Sequence, residues 1–148
     1  MNAPRSLSGE NVHASTVAIG GRAVLITGPS GSGKSDLALR LLDRGFTLVS
    51  DDQTIVRRDG ERLLASAPPQ IAGKLEIRGI GIVEMEAESD VPVALLVELT
   101  SDIQRLPDDS RERPVLGVTL PLISINAMTA SAPSIVALAL DRQGLPAQ

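Results

Sequence analysis

The segment that decides the fold reads Gly28-Pro29-Ser30-Gly31-Ser32-Gly33-Lys34-Ser35. It satisfies the pattern G-x-x-x-x-G-K-[ST], known as Walker A, at every position. Residues 23–27 before it form a short β-branched run typical of a strand. From Lys34 onward, Leu37 and Leu41 follow helical spacing up to a glycine stop at Gly45. A strand, a glycine-rich loop and a helix in this order predict a phosphate-binding loop.

The residue types of this loop explain the chemistry that it predicts. Glycines let consecutive backbone N–H groups converge on phosphate oxygens, and the helix N-terminus adds a partial positive charge. We expect Lys34 to reach the β- and γ-phosphates of a nucleotide and the Ser35 hydroxyl to bind Mg²⁺. A glycine-rich turn that binds nothing is the alternative. A complete motif in the correct setting argues against it.

The chain around the loop reads as an α/β domain with a mixed sheet. Residues 46–50 form a strand after the helix, which completes a βαβ unit with its two strands parallel. Short strands are predicted at 12–19 and 23–27 around Gly20-Gly21, and a hairpin at 54–56 and 62–65 around Asp59-Gly60. Residues 71–78 predict a short helix or turn, and 79–83 a strand. The rest of the chain predicts a buried strand at 93–99 and a charged loop at 101–113. After them we expect strands at 115–118 and 122–125 and a helix at 131–142 capped by Ser131.

Length and composition limit the possible functions. With 148 residues we expect one domain at 11–148 after a flexible tail at 1–10. The chain has 14 Lys and Arg against 18 Asp and Glu, a net charge of −4, which disfavours a nucleic-acid or membrane partner. It has no cysteine, one histidine and one aromatic residue, Phe46, which excludes thiolate chemistry and multi-histidine metal sites. Without a signal peptide or a long apolar run, a cytoplasmic protein is expected.

Two adjacent carboxylates follow the strand after the loop helix. Asp51 and Asp52 lie at the carboxyl end of that strand, where an open α/β sheet binds its ligands. Adjacent side chains point in different directions, so at most one of them faces the γ-phosphate. That one could act as a base for an incoming hydroxyl or as a ligand of Mg²⁺. The alternative is that the pair only begins a turn.

Spacing alone gives three further residues no special role. His13 is the lone histidine, and a lone histidine is more often structural than catalytic. Glu76 reads as an exposed glutamate on a helix surface, and Arg105 belongs to a charged, solvated loop.

Longer stretches of the chain resemble the catalytic domain of the HPr kinase/phosphorylase family. The first runs from His13 through the phosphate loop and Asp36-Leu37-Ala38-Leu39-Arg40 to Leu48-Val49-Ser50-Asp51-Asp52. The second, Leu75-Glu76-Ile77-Arg78-Gly79-Ile80-Gly81-Ile82, is similar to the family's second signature, with Ile80 where leucine is more usual. The resemblance covers residues 12–140, and two signatures together are far more specific than a phosphate loop alone.

The resemblance implies an ATP- and Mg²⁺-dependent enzyme that phosphorylates a serine of HPr, a phosphocarrier protein of the sugar phosphotransferase system. Lys34 and the loop amides would hold ATP, and Ser35 and Glu76 would place Mg²⁺. Asp52 would accept the proton of the attacking serine. His13 matches the family's active-site histidine, and Arg105 its later active-site arginine in diverged surroundings.

The chain also departs from the family's pattern. It resembles the short, catalytic-domain-only form found in α-proteobacteria, which lacks the N-terminal domain of longer members. Ala14 replaces a common glycine. Residues 126–133 do not match the Pro-Gly-Arg-Asn-type loop of the dephosphorylating activity, so phosphorolysis is doubtful for this chain. The family assembles into hexamers, which makes a homo-oligomer an expectation here.

Two other functions stay open from the sequence. A small-metabolite kinase also carries acids after its phosphate-loop helix, but the absence of an arginine-rich lid and the hairpin after Asp52 argue against it. A nucleotide-binding regulator without phosphoryl transfer is the second alternative. A transfer assay with candidate carriers distinguishes the regulator from the kinase.

Overall fold

The computed structural model describes residues 9–101 and 111–147. Within these ranges eleven strands and two α-helices form. The strands are β1 (Gly9–Val12), β2 (Ala14–Ile19), β3 (Arg22–Thr27), β4 (Thr47–Ser50), β5 (Thr54–Asp59), β6 (Arg62–Ser66), β7 (Lys74–Ile77), β8 (Gly81–Glu84), β9 (Val91–Leu99), β10 (Glu112–Val115) and β11 (Val118–Ile125). The helices are α1 (Lys34–Leu42) and α2 (Ala132–Gln143), and a 3-10 turn covers Pro69–Ile71.

Nine of these strands form one mixed sheet around β9. Its order is β1-β5-β6-β9-β3-β2-β4, with β11 beside β9 and β10 beside β11. Strand β9 runs parallel to β3 and to β11, whereas the other pairs are antiparallel. Because β9 has nine residues, one of its edges accommodates two partners, β6 at its beginning and β11 at its end. The carboxyl ends of β3, β9 and β11 therefore lie side by side.

The predicted α/β class with a mixed sheet is confirmed. Helix α1 connects β3 to β4, and both strands pair antiparallel with β2, so they run in the same direction with β2 between them. Two-residue turns close both predicted hairpins, at Gly20-Gly21 as predicted and at Gly60-Glu61, one residue after the predicted Asp59-Gly60. Gly20 and Gly21 both have positive φ, as the tight turn of a hairpin requires. The C-terminal helix begins directly after Ser131, as predicted, but the Ser131 side chain makes no capping hydrogen bond.

Several predicted boundaries were wrong. The region 71–78, where a short helix or turn was predicted, contains strand β7, which pairs antiparallel with β8 and has Leu75 buried and Glu76 exposed. The strand predicted at 12–19 is interrupted at His13, so β1 pairs with β5 and β2 with β3. Strand β1 begins at Gly9, inside the expected tail, whose residues 1–8 lie outside the described residues. Strand β10 begins at Glu112, inside the predicted charged loop, and the middle of the strand predicted at 115–118 is instead the Leu116-Gly117 turn between β10 and β11.

A hydrophobic core covers each face of the central sheet. Val24 and Ile26 of β3 pack with α1 and α2, whereas their neighbours Ala23 and Leu25 pack with residues of β5, β6, β9 and β11. Both faces of β3 and β9 are thus buried, which explains the continuous apolar run of β9. The phosphate loop follows a strand that is fixed on both faces. No helix in the described part of the chain is long and apolar enough to span a bilayer.

Candidate active site

The loop that joins β3 to α1 is the segment that the sequence predicts to bind phosphate. Gly33 precedes the helix with φ of 99°, and Ser32 N donates to Pro29 O at 3.1 Å. The positive φ favours glycine at this position, and a Cβ on Gly33 would lie 3.1 Å from the Cβ of Ala127, which would have to shift to admit it. The loop therefore brings its amides to the N-terminus of α1, where the helix dipole favours an anion.

Lys34 is held at this loop by backbone carbonyl groups. Only 6% of the residue is exposed, and Nζ donates to Gly28 O at 3.0 Å and to Pro29 O at 3.4 Å. Nearby, Ser32 Oγ is buried and has no hydrogen-bond partner within the described structure. A buried hydroxyl without a partner costs free energy unless a ligand satisfies it. The loop thus combines a fixed positive charge with an unsatisfied polar atom, which fits a phosphate ligand.

Asp51 connects the loop helix to two other strands. Its Oδ1 accepts hydrogen bonds from Ser35 Oγ at 2.6 Å and from Ser15 Oγ at 3.0 Å. Its Oδ2 accepts one from the backbone N–H of Glu76 at 3.1 Å. The residue is only 9% exposed. One carboxylate therefore ties β2, α1 and β7 together beside the phosphate loop.

Asp52 turns away from Asp51 and pairs with His13. The Nε2–H group of His13 donates to Asp52 Oδ1 at 2.8 Å, and both side chains are about half exposed. Asp52 has φ of 68°, a left-handed conformation that aspartate tolerates better than most residues. Its backbone N–H donates to Ser15 Oγ at 3.0 Å. The inner carboxylate thus faces the loop helix and the outer one faces solvent together with a histidine.

Two other residues predicted for the site, Glu76 and Arg105, differ in what the structure shows of them. Glu76 lies on strand β7 and not on a helix, and it reaches Asp51 through its backbone N–H while its side chain is exposed. Arg105 lies outside the described residues. The structure thus brings His13, the phosphate loop, Asp52 and Glu76 to one region of the molecule.

The central position of Asp51 was not predicted, because the residues alone left open which of the two aspartates faces the phosphate and the resemblance singled out Asp52. The signal in the sequence that could have identified Asp51 is its position directly after the strand that follows the phosphate-loop helix. In many phosphate-loop proteins such an aspartate holds Mg²⁺ together with the loop serine.

The oxygen atoms of Ser35 and Asp51 fit a magnesium ion. Mg²⁺ prefers hard oxygen ligands and usually binds through one or two carboxylates plus substrate phosphates. In the described ranges no group of three or more acidic or histidine side chains is placed to hold a metal alone. The donor set therefore suits an ion that binds together with a nucleotide.

Comparisons with known proteins agree on one family. A family model described as HPr serine kinase C-terminal domain matches residues 6–142. HPr kinase/phosphorylase from Chlorobium limicola is 38% identical over 130 residues, covering 78% of this chain and 39% of that protein. The protein of the same name from Levilactobacillus brevis is 36% identical over 133 residues, covering 81% of this chain and 43% of its own length. The chain thus spans about two fifths of the length of these relatives.

A solved structure supports the same assignment. The Hpr(Ser) kinase/phosphatase from Coxiella burnetii superposes with a TM-score of 0.76 at 28% identity, covering 89% of this chain and 94% of that one. The mixed sheet described above is therefore the fold of that kinase. Since the family model spans nearly all of the sequence, this chain belongs to the HPr serine kinase C-terminal domain family.

Proposed function

We propose that this protein is an ATP- and Mg²⁺-dependent kinase that phosphorylates a serine of an HPr-like phosphocarrier protein. The observation that carries the proposal is the pair of hydrogen-bonded contacts beside the phosphate loop, Ser35 with Asp51 and His13 with Asp52. Phosphoryl transfer requires bound phosphates, charge neutralisation and one oriented base. Family membership adds the substrate class, because the relatives are named for HPr.

The phosphate loop is the proposed ATP site. The backbone N–H groups of the segment Gly28-Pro29-Ser30-Gly31-Ser32-Gly33, in which only Pro29 lacks one, and the Lys34 ammonium would bind the β- and γ-phosphates. Lys34 now donates to carbonyl oxygens, and a phosphate oxygen would be a stronger acceptor for the same group. Ser32 Oγ supports this role, since it is buried without a partner in the described ranges.

Ser35, Asp51 and Glu76 would hold Mg²⁺. When bound, the ion neutralises charge that develops on the phosphate oxygens during transfer. The Ser35 hydroxyl and the Asp51 carboxylate supply the hard oxygens at the start of α1. The Glu76 backbone fixes Asp51, and its exposed carboxylate is free to add a further oxygen from the β7 side.

Asp52 is the proposed general base, and His13 orients it. In the transfer the serine O–H proton passes to Asp52 while the serine oxygen forms a bond to the γ-phosphorus. The bond from that phosphorus to the bridging oxygen breaks, and ADP leaves with the bonding pair. The ring of His13 holds the Asp52 carboxylate at 2.8 Å and keeps one of its oxygens in place. Arg105 would add positive charge, as the resemblance implies.

The proposal covers the forward reaction alone. The residues 126–133 that take the place of the family's dephosphorylation loop contain no charged side chain. They would offer no cation to an incoming inorganic phosphate.

A cytoplasmic setting and assembly into an oligomer belong to the same proposal. Light scattering on the purified protein tests the oligomeric state.

The test is mass spectrometry of a carrier protein incubated with the kinase, ATP and Mg²⁺. We expect one phosphoserine, and we expect Asp52→Asn to slow its formation by about 10²–10⁴-fold, with ATP affinity nearly unchanged. Asp59→Asn is the matched control, because Asp59 is an exposed aspartate on the β5–β6 hairpin that pairs with Arg62. An unchanged rate in Asp52→Asn would exclude Asp52 as the base. Wild-type protein that binds ATP without forming phosphoserine would instead identify a nucleotide-binding regulator.

A further inference from the structure

A cavity of about 460 Å³ opens beside the phosphate loop, on the side away from the two aspartates. Thr27, Gly28 and Pro29 form its wall on the loop side, and Glu98, Ser124 and Arg111 are among the residues opposite. Its size falls within the range of about 300–1,000 Å³ that is usual for small-molecule sites. It lies at the carboxyl ends of the parallel strands β3, β9 and β11, where α/β sheets bind ligands.

The position of the catalytic groups determines which end of a nucleotide would enter this cavity. In the strand order β4-β2-β3-β9-β11, the loop follows β3, and Asp51 and Asp52 follow β4. The γ-phosphate that reacts beside Asp52 therefore lies on the β2 and β4 side. The side of the loop away from these aspartates, toward β9 and β11, is open to the nucleoside at the other end of the triphosphate.

The polar groups of the cavity suit a ribose. Glu98 Oε1 accepts hydrogen bonds from Ser124 Oγ at 3.1 Å and from Arg111 at 3.4 Å, and Oε2 accepts one from Arg113 at 3.3 Å. Arg111 also donates to Ser124 Oγ at 2.6 Å. A carboxylate oxygen has two lone pairs, so Oε2 retains acceptor capacity for a hydroxyl donor. Acidic side chains commonly accept hydrogen bonds from ribose hydroxyls in dinucleotide sites.

The charge state of the cavity agrees with this role. Burial alone would raise the pKa of Glu98, but hydrogen bonds from Arg113 and Ser124 and the charges of Arg113 and Arg111 outweigh it. The pKa of Glu98 is therefore lower than usual, and the side chain is a fixed anion at neutral pH. The two arginines give the cluster a net positive charge, which is compatible with an adjacent phosphate.

We infer that this cavity binds the nucleoside part of ATP, with the Glu98 carboxylate accepting hydrogen bonds from the ribose hydroxyls. The inference rests on the proposed function for its ligand, because that function requires ATP at the loop. It adds a second binding element, separate from the phosphates, formed by residues of β9 and β11. Glu98 becomes the residue that distinguishes a nucleoside triphosphate from inorganic polyphosphate.

The experiment compares three ligands by isothermal titration calorimetry in the presence of Mg²⁺: ATP, 2′,3′-dideoxy-ATP and inorganic tripolyphosphate. Wild-type protein should bind ATP about tenfold more tightly than dideoxy-ATP, the effect of losing hydrogen bonds to a charged acceptor. Glu98→Gln should weaken ATP binding by about tenfold, remove the preference over dideoxy-ATP and leave tripolyphosphate binding unchanged. The control Asp59→Asn should match the wild-type protein for all three ligands.

Other outcomes would overturn the inference. If Glu98→Gln weakens the binding of ATP and of tripolyphosphate equally, the Glu98 cluster acts on the phosphates. If the affinity for neither ligand changes, the cavity is excluded as a ligand site. If Glu98→Gln does not fold, the wild-type comparison decides alone, since equal affinity for ATP and dideoxy-ATP rejects a ribose contact. Failure of the proposed function is seen separately, as ATP binding without phosphoserine.

Discussion

Replacing Asp51 tests whether one buried carboxylate organises the site. Asp51→Ala removes the acceptor of three hydrogen bonds and leaves the Glu76 N–H without a partner, whereas the Ser15 and Ser35 hydroxyls can rotate to other acceptors. An unsatisfied N–H costs about 1–3 kcal/mol, and the two weakened hydroxyl contacts bring the total to about 3–5 kcal/mol. In Asp51→Asn the amide oxygen can still accept from Glu76 N while its NH₂ group faces the hydroxyls. We expect that variant to lose about 1–2 kcal/mol.

The assay is thermal unfolding followed by far-UV circular dichroism, since the chain has no Trp or Tyr for intrinsic fluorescence. At about 3–5 °C per kcal/mol for a domain of this size, Asp51→Ala should lower Tm by about 9–25 °C and Asp51→Asn by about 3–10 °C. Asp52→Asn is the control, because Asp52 is half exposed and asparagine tolerates its left-handed backbone. Equal and small shifts in both Asp51 variants would refute the view that this carboxylate connects the strands. Both Asp51 variants should also lose most phosphoserine formation.

Two further predictions concern Gly33 and Glu98. Gly33→Ala should destabilise the fold by about 1–3 kcal/mol and weaken ATP binding, since its Cβ would contact Ala127. The control is Gly20→Ala, because Gly20 also has positive φ but a Cβ there would contact nothing. In the same unfolding assay this control should show only the smaller cost of the backbone conformation. A similar loss in both would remove the packing argument. The lowered pKa of Glu98 stabilises the folded state above the ordinary value of 4.5, and this contribution is lost as pH falls through the folded pKa. The Tm difference between wild-type protein and Glu98→Gln should therefore shrink from pH 7 to pH 3, and an equal difference at both values would contradict the assignment.

The parts of the fold that depend on local signals were predicted from the sequence. Strand β3, the phosphate loop and α1 are adjacent in the chain, and each has its own pattern of residues. The hairpins at Gly20-Gly21 and Gly60-Glu61 follow from the backbone freedom that their turns need. Strand β7 was missed because it is short and lies between two glycines with positive φ, Gly73 and Gly79. It pairs with β8 across the turn at residues 78–80, where Ile80 N donates to Ile77 O.

The contacts of the candidate site could not be predicted, because they join distant parts of the chain. Asp51 contacts Ser15, Ser35 and Glu76, which lie 36, 16 and 25 residues away. Sequence patterns give the period of each element but not which strand ends meet in space. For the same reason the cluster of Glu98 with Arg111 was invisible, since the sequence placed Arg111 in a charged loop.

The two cores on opposite faces of β3 and β9 have a consequence for dividing the molecule. The residues of β9 are divided between the two cores, with Leu95 and Val97 on the helix side and Val93 and Leu96 on the other, and an irregularity in the pairing with β3 interrupts the simple alternation. A fragment that ends before β9 would expose both cores at once, so neither half of the chain keeps a complete hydrophobic interior. Splitting the protein for a complementation assay would therefore require both pieces to meet before either one folds.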